Sequence, residues 1–268
     1  MRIAIRQETP ADHRAVEELT REAFWGMSGP GCEEHLLVHR LRKSAGFVPE
    51  LDLVAEVDGA LAGHVIYSRA RVVASDRTWE VLTFGPLSVH PEHQGTGVGT
   101  ALMRHSMDIA ARLGHRAVVV YGHPDYYPRL GFVRGAEVGI TAPGGATFDA
   151  LMVCPLLEDG LDGVHGEFHE DAAFRLDPAD VAAFDLSFPP KTPATLQPID
   201  TRASEVPAVV LDALRARGVV HVQDLGRYSS AEAEAWEHVG PAGRESLQTA
   251  LRSRGVPWGM TAGDRRTA

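Results

Sequence analysis

An α+β architecture, with one largely antiparallel sheet flanked by helices and a small all-α region behind it, follows from three features of the 268-residue chain. β-rich runs occur both early and late in the sequence. Helical patterns interrupt them without the strict alternation of a parallel βαβ sheet. Asp58-Gly59 joins two adjacent β-rich runs as a hairpin turn would. In chain order, Arg2 to Arg6 alternates polar and apolar residues as a half-buried strand does. Thr9-Pro10-Ala11-Asp12 offers a capping residue followed by proline at the first helical position, which predicts a helix to about Phe24. Glu33 to Lys43 carries Leu36, Leu37 and Leu41 at helical spacing and predicts a second. Leu51 to Val57 and Leu61 to Arg71 form the hairpin, and Trp79 to Val89 is a third, longer strand ending at His90-Pro91. A helix over 97–113 stops at Gly114, the β-branched run Ala117 to Tyr121 follows, and a short helix and further strands complete the sheet from Phe132 to Pro155.

Composition narrows the function. Hydrophobic residues at 44% and charged residues at 23% exclude a natively disordered chain, and a net charge of −10 argues against a whole-chain nucleic-acid or membrane-surface role. Cys32 and Cys154 have no metal-like spacing, which points away from zinc and disulfides and toward a reducing, cytoplasmic compartment. The most apolar short run, Ala117 to Tyr121, is far too short to span a bilayer, and the first residues are too soon charged for a signal peptide. Residues 1–198 hold 17 basic and 27 acidic side chains, against 9 and 9 in residues 199–268. Four prolines between Ser187 and Pro198 mark the seam. The expected organisation is a first domain over 1–185, a Pro-rich linker over 186–200, a small helical domain over 201–258 and a frayed tail over 259–268.

The chemistry concentrates in Leu87-Ser88-Val89-His90-Pro91-Glu92-His93-Gln94-Gly95-Thr96-Gly97-Val98-Gly99-Thr100, which sets three glycines between a strand and a helix. Glycines there let backbone N–H groups converge, and the helix dipole adds partial positive charge, so the turn suits a phosphate. Neither the dinucleotide fingerprint nor the P-loop signature is present. Gln94-x-x-Gly97-x-Gly99 resembles the Q/R-x-x-G-x-G/A signature of the GNAT superfamily of acyl-CoA-dependent N-acyltransferases. Gly122-His123-Pro124-Asp125-Tyr126-Tyr127-Pro128-Arg129-Leu130-Gly131-Phe132 resembles its Y-x-x-x-G-F segment, with Tyr127 in the tyrosine position. The resemblance covers most of residues 1–198 and is greatest to a bacterial acetyltransferase subgroup.

That resemblance implies acetyl-CoA as cosubstrate, with no metal. Pantetheine would lie along Leu87, Ser88 and Val89, in a gap between that strand and Ala117–Tyr121, and the pyrophosphate would rest on Gln94, Gly95, Thr96, Gly97, Val98, Gly99 and Thr100. Tyr127 would act as the acid toward the departing thiolate, the backbone N–H near Val89 would hold the oxyanion, and Tyr126 would face away. An alkylamine with a pKa near ~10.4 is neutral in only about one molecule in 2,500 at pH 7, so a base is useful. Some family members place a glutamate where this chain has Thr83, which cannot serve. Glu34 and Glu33 are the candidates for that role, with His64 and His123 as further options. The acceptor is expected to be a primary amine of a small molecule or protein. His90-x-x-His93 and His165-x-x-x-His169 lack a third ligand at a recognisable spacing and are not expected to bind metal. Leu214-x-x-x-Gly218-Val219-x-x-Val222-x-Asp224-Leu225 and Ser246-Leu247-x-x-x-Leu251-x-x-x-Gly255 resemble the helix-hairpin-helix-like C-terminal domain of the RNA polymerase α subunit, which implies a weak nucleic-acid or protein partner. An alternative reading follows, a catalytically weak acyl-CoA-binding regulator. The sequence leaves oligomeric state open.

Overall fold

The structure is a computed structural model that describes residues 1–27, 30–122, 124, 126–194, 206–221, 224–225 and 233–252, with the backbone alone for 250–252. His123, Val222, Arg254 and Gly255, the far end of the expected linker and the expected tail lie outside the described residues. The strands are β1 (Ile3–Gln7), β2 (Leu53–Val57), β3 (Ala60–Val73), β4 (Thr78–Val89), β5 (Ala117–Tyr121), β6 (Val133–Arg134), β7 (Ile140–Thr141), β8 (Leu151–Pro155) and β9 (Gly166–His169). They form one sheet in the order β1-β2-β3-β4-β5-β8-β6, with β9 continuing along β3 and β7 pairing with β9. Neighbours pair antiparallel, apart from β4–β5 and β7–β9.

Helix α3 (Val98–Arg112) covers one face. Its Leu102 and Met103 pack with Val65, Tyr67, Leu82 and Phe84, all of them buried. Helices α1 (His13–Phe24) and α2 (Glu34–Leu41) cover the other face, where Val16, Leu36 and Leu41 meet Val54 and Ile66. α1 crosses the strands obliquely. Val16 packs over β2 and β3, and one turn later the Thr20 hydroxyl lies 2.9 Å from that of Ser88 on β4.

α1 begins later than the sequence suggests. The Asp12 carboxylate accepts from Thr9 N at 2.9 Å and Thr9 Oγ1 at 2.7 Å and pairs with Arg6, so Thr9–Asp12 is a closed turn before the helix rather than its first turn.

Helix α4 (Pro178–Asp185) packs on α2. The Pro-rich stretch beyond it, expected as a linker, lies along α1 over its described length, because that helix presents donors to its carbonyls. Arg14 Nη2 donates to Ser187 O at 2.8 Å, Arg21 Nη1 to Pro189 O at 3.2 Å, and Trp25 Nε1 to Thr192 O at 3.1 Å, while Ala194 N donates to Pro30 O at 2.8 Å. Helices α5 (Ala208–Arg215) and α6 (Gly240–Arg252) belong to a second core, built from Val206, Val210, Leu211, Leu214, Val219, Leu225, Ala233, Val239 and Leu247.

Candidate active site

β4 and β5 are joined by one parallel rung, Leu82 with Val118, and beyond it no further pairing is made. The cause is local. The β3–β4 register shifts between Val65 and Tyr67, where Gly85-Pro86 adds a residue to β4 and Pro86 brings no N–H. The backbone of Leu87, Ser88 and Val89 thus faces a gap. Leu87 and Val89 pack on the α3 side, whereas the Ser88 side chain is spent on Thr20, which the sequence did not reveal.

At the end of β4, Gly95 (φ +75°) and Gly97 (φ +96°) adopt left-handed backbone that a side chain would strain, and nothing stands within 4 Å of where a Cβ would lie on either. Gly97 caps α3 without a side chain. The N–H groups of Val98, Gly99 and Thr100 have no intrahelical acceptor by construction, while Ala101 N returns to Gly97 O at 2.9 Å. Gln94 Nε2 donates to Val89 O at 3.2 Å and fixes the turn to the strand, and Thr96 Oγ1 donates to His93 O at 2.6 Å. Gln94, Gly95, Thr96 and Gly97 are exposed, and Val98 is buried beneath them. The result is an accessible concavity of backbone donors beside the gap.

Tyr127 stands at the same end of β5. Its ring packs on Phe84 (5.7 Å between centroids) and Phe132 (5.3 Å), and lies over Gly122, where a Cβ would come within 2.2 Å of it. Phe84 is on β4 just past the last rung and Gly122 directly follows β5, so the phenol bridges the two diverging strands. Burial pushes its pKa up, and no described residue hydrogen-bonds its hydroxyl. It therefore stays protonated at neutral pH. Tyr126, expected to face away, instead places its hydroxyl 3.2 Å from where a Cβ on Gly99 would lie, with Arg129 stacked 4.0 Å from its ring. Absence of a side chain at Gly99 opens that path across the start of α3.

On the opposite face, Glu34 opens α2. Its Oε2 accepts from Cys32 Sγ at 3.2 Å and from Glu33 N at 3.1 Å, and Cys32 Sγ in turn touches Thr20 O at 3.9 Å. Thr20, whose hydroxyl meets Ser88, thus touches the thiol that the Glu34 carboxylate holds. No cation among the described residues pairs with the carboxylate, and burial raises its pKa. Burial also holds the Cys32 thiol well above its ordinary value, so it remains a neutral donor. Glu33 caps the helix beside it, half-buried. Thr83 is buried with its hydroxyl unpaired among the described residues and supplies no base.

His64 does not join this site. It is fully buried with Nε2 2.8 Å from Asp52 Oδ1, and burial lowers its pKa to about 4. Glu8, Asp52 and His64 bring potential ligand atoms within 4.8 Å of one another, but the Arg42 guanidinium already holds both Glu8 oxygens, at 2.9 and 2.6 Å. A fixed cation fills the role a metal would take.

Residues 4–135 match the family model described as an acetyltransferase (GNAT) domain. The chain is 34% identical to the uncharacterized N-acetyltransferase YhbS of Escherichia coli over 169 residues, which cover 62% of this chain and 96% of YhbS. It is also 34% identical over 134 residues to YjhQ of the same organism, covering 50% of this chain and 71% of YjhQ. Among solved structures, YhbS in complex with CoA aligns at a TM-score of 0.57 and 29% identity, over 66% of this chain and 94% of that one. A GNAT family acetyltransferase from Brucella melitensis in complex with acetyl-CoA aligns at 0.52 and 27%, over 65% and 99%. The overall fold and the related sequence are thus shared with acetyltransferases, and the chain belongs to the GNAT family of acetyltransferases.

Proposed function

We propose that this chain transfers an acetyl group from acetyl-CoA to a primary amine by direct attack within a ternary complex. The observation that carries the reading is the gap between β4 and β5, with backbone donors at its mouth and the Tyr127 phenol across it. Two similar acetyltransferases were solved with CoA and with acetyl-CoA, which supports the same donor here. Pyrophosphate rests on the Gln94–Thr100 turn, and pantetheine pairs with the backbone of Leu87, Ser88 and Val89, completing the unzipped edge. The acceptor ammonium gives a proton to Glu34, directly or through water, with Glu33 beside it. The neutral nitrogen then attacks the thioester carbonyl, whose oxyanion is held by the backbone N–H near Val89, and the nitrogen loses its second proton to solvent as the intermediate collapses to the amide. As the C–S bond breaks, Tyr127 protonates the thiolate and is reprotonated from solvent.

The same reading divides the chain into a catalytic unit over 1–185, a connection over 186–200 and a helical unit over 201–258, and the separate core around Leu214 supports it.

Thiol release from acetyl-CoA over a panel of amines and peptides tests the reaction. Tyr127→Phe is expected to lower turnover about 10²-fold while CoA affinity, read by calorimetry, is unchanged. Full turnover in that variant removes the acid assignment; no acetyl-CoA binding by the wild-type chain removes the whole reading.

A further inference from the structure

The chain carries 26 basic side chains, and only two of them, Lys43 and Lys191, are lysines. Their surroundings differ. Lys43 is exposed at the end of α2, with Nζ 2.8 Å from His39 Nε2. Lys191 lies in the Pro-rich segment that follows α1, within Pro189-Pro190-Lys191-Thr192-Pro193. Its Nζ is 2.5 Å from Glu22 Oε2 and 4.9 Å from the Trp25 ring, so a carboxylate and an aromatic face hold one primary ammonium. Both partners belong to the last turn of α1 and the residue after it.

Lys191 also lines a cavity of about 590 Å³ walled by Leu19, Glu22, Leu61, Phe188 and His90. His90 directly follows β4 and precedes the glycine turn, so the cavity borders the mouth assigned to the cofactor. Prolines at 189, 190 and 193 hold the segment extended, a form in which one side chain can be offered without unfolding a helix or strand.

We propose that Lys191 is a self-acetylation site of this enzyme and that its modification loosens the part of the segment around Lys191 from the last turn of α1, while Arg14 and Arg21 keep their hold on Ser187 and Pro189. The proposal rests on the acetyltransferase reading above. In the step, Lys191 leaves Glu22 and reaches round the end of α1. Its ammonium loses one proton to a carboxylate and then solvent, a C–N bond forms to the acetyl carbonyl carbon, and the C–S bond breaks. The second nitrogen proton is lost as the amide forms, and the thiolate takes one from Tyr127. The products are Nε-acetyl-lysine, free CoA and one net proton. Acetylation removes the positive charge, and with it both the ion pair to Glu22 and the attraction to Trp25. Thr192 O and Ala194 N then remain as the hold on the loop between α1 and α2, which carries Glu33 and Glu34 at its far end.

The test is incubation of the full chain with isotopically labelled acetyl-CoA, followed by peptide mass spectrometry. Lys43 is the internal control, because chemical acetylation favours the more exposed amine. Label at Lys191 is expected to exceed label at Lys43 by at least about tenfold, the advantage of a positioned nucleophile, and to fall about 10²-fold in a Tyr127→Phe variant that still binds CoA. Lys43→Arg should leave Lys191 labelling intact, and Lys191→Arg should abolish the major labelled peptide. Equal labelling of the two lysines, or labelling insensitive to Tyr127→Phe, overturns the proposal. So does an unlabelled Lys191 in a chain that acetylates an added amine, and that outcome leaves the acetyltransferase reading standing. Failure to bind acetyl-CoA overturns both.

Discussion

At Gly122 and Gly97, hydrogen in place of a side chain is a condition of the site. A methyl group on Gly122 would lie 2.2 Å from the Tyr127 ring, closer than any real contact, and both neighbours are constrained, Gly122 by its N–H on Ala150 O and the ring by Phe84 and Phe132. Gly122→Ala is therefore expected to cost about 1–3 kcal/mol of stability and to cut thiol release at least as far as Tyr127→Phe, measured by thermal melting and by the same assay. Gly97→Ala meets no atom but must hold φ at +96°, a strain of about 1–2 kcal/mol. Its expected signature is weaker CoA binding in calorimetry with Tyr127 undisturbed. Glu34→Gln should flatten the acid limb of the pH–rate profile, since the group whose ionisation burial delays is gone; an unchanged limb would exclude Glu34 as the base. Much of this was legible in the sequence: the glycines, Gln94 and Tyr127 fall within contiguous motifs. The Thr20–Ser88 bond, the Cys32–Glu34 contact and the turning of Tyr126 toward Gly99 were not, because each joins residues far apart in the chain or depends on a rotamer.

Among the elements, the anchoring of α1 and α2 to the sheet passes through charge. Arg42 after α2 holds Glu8 after β1 and Glu17 of α1, while Asp52 before β2 holds His64 of β3. Facing this group are His13, 3.9 Å from Glu8, and His39, 2.9 Å from Glu17. Burial raises the Glu8 pKa to about 7 from 4.5, so its share of stability is full below the ordinary value and is lost as pH rises toward 7. His64 works in the opposite sense: held near 4 instead of 6.5, it favours the fold above 6.5 and penalises it as pH falls. The stability difference between wild type and Glu8→Gln should shrink as pH rises from 5 to 8, by at most about 3 kcal/mol, read from denaturant midpoints. A difference constant with pH would mean that Glu8 does not titrate there. Strand and helix identities were readable from periodicity, but this network was not: its members are single polar residues in or beside five different elements, and the approach of those elements is set by topology.

Across the whole molecule, the core around Leu214 is separate from those on the sheet, and the proline-rich segment between them is fastened to α1. Unfolding is expected to occur in two calorimetric transitions, with acetyl-CoA raising only the one that belongs to the sheet, by about 2.7 kcal/mol at a hundredfold excess over Kd. A single transition that shifts entirely with ligand would merge the two units. The opened β4–β5 seam has a further consequence. Amide and carbonyl groups of β4 and β5 that point at each other across the seam have no strand partner there, inside an otherwise continuous sheet. Deuterium should enter those amides of Leu87–Val89 and Val119–Tyr121 that point into the seam faster than their neighbours bonded to β3 and β8, and slowly once a pantetheine arm threads between the strands. Until then the same seam is the place where a stray extended peptide could lodge.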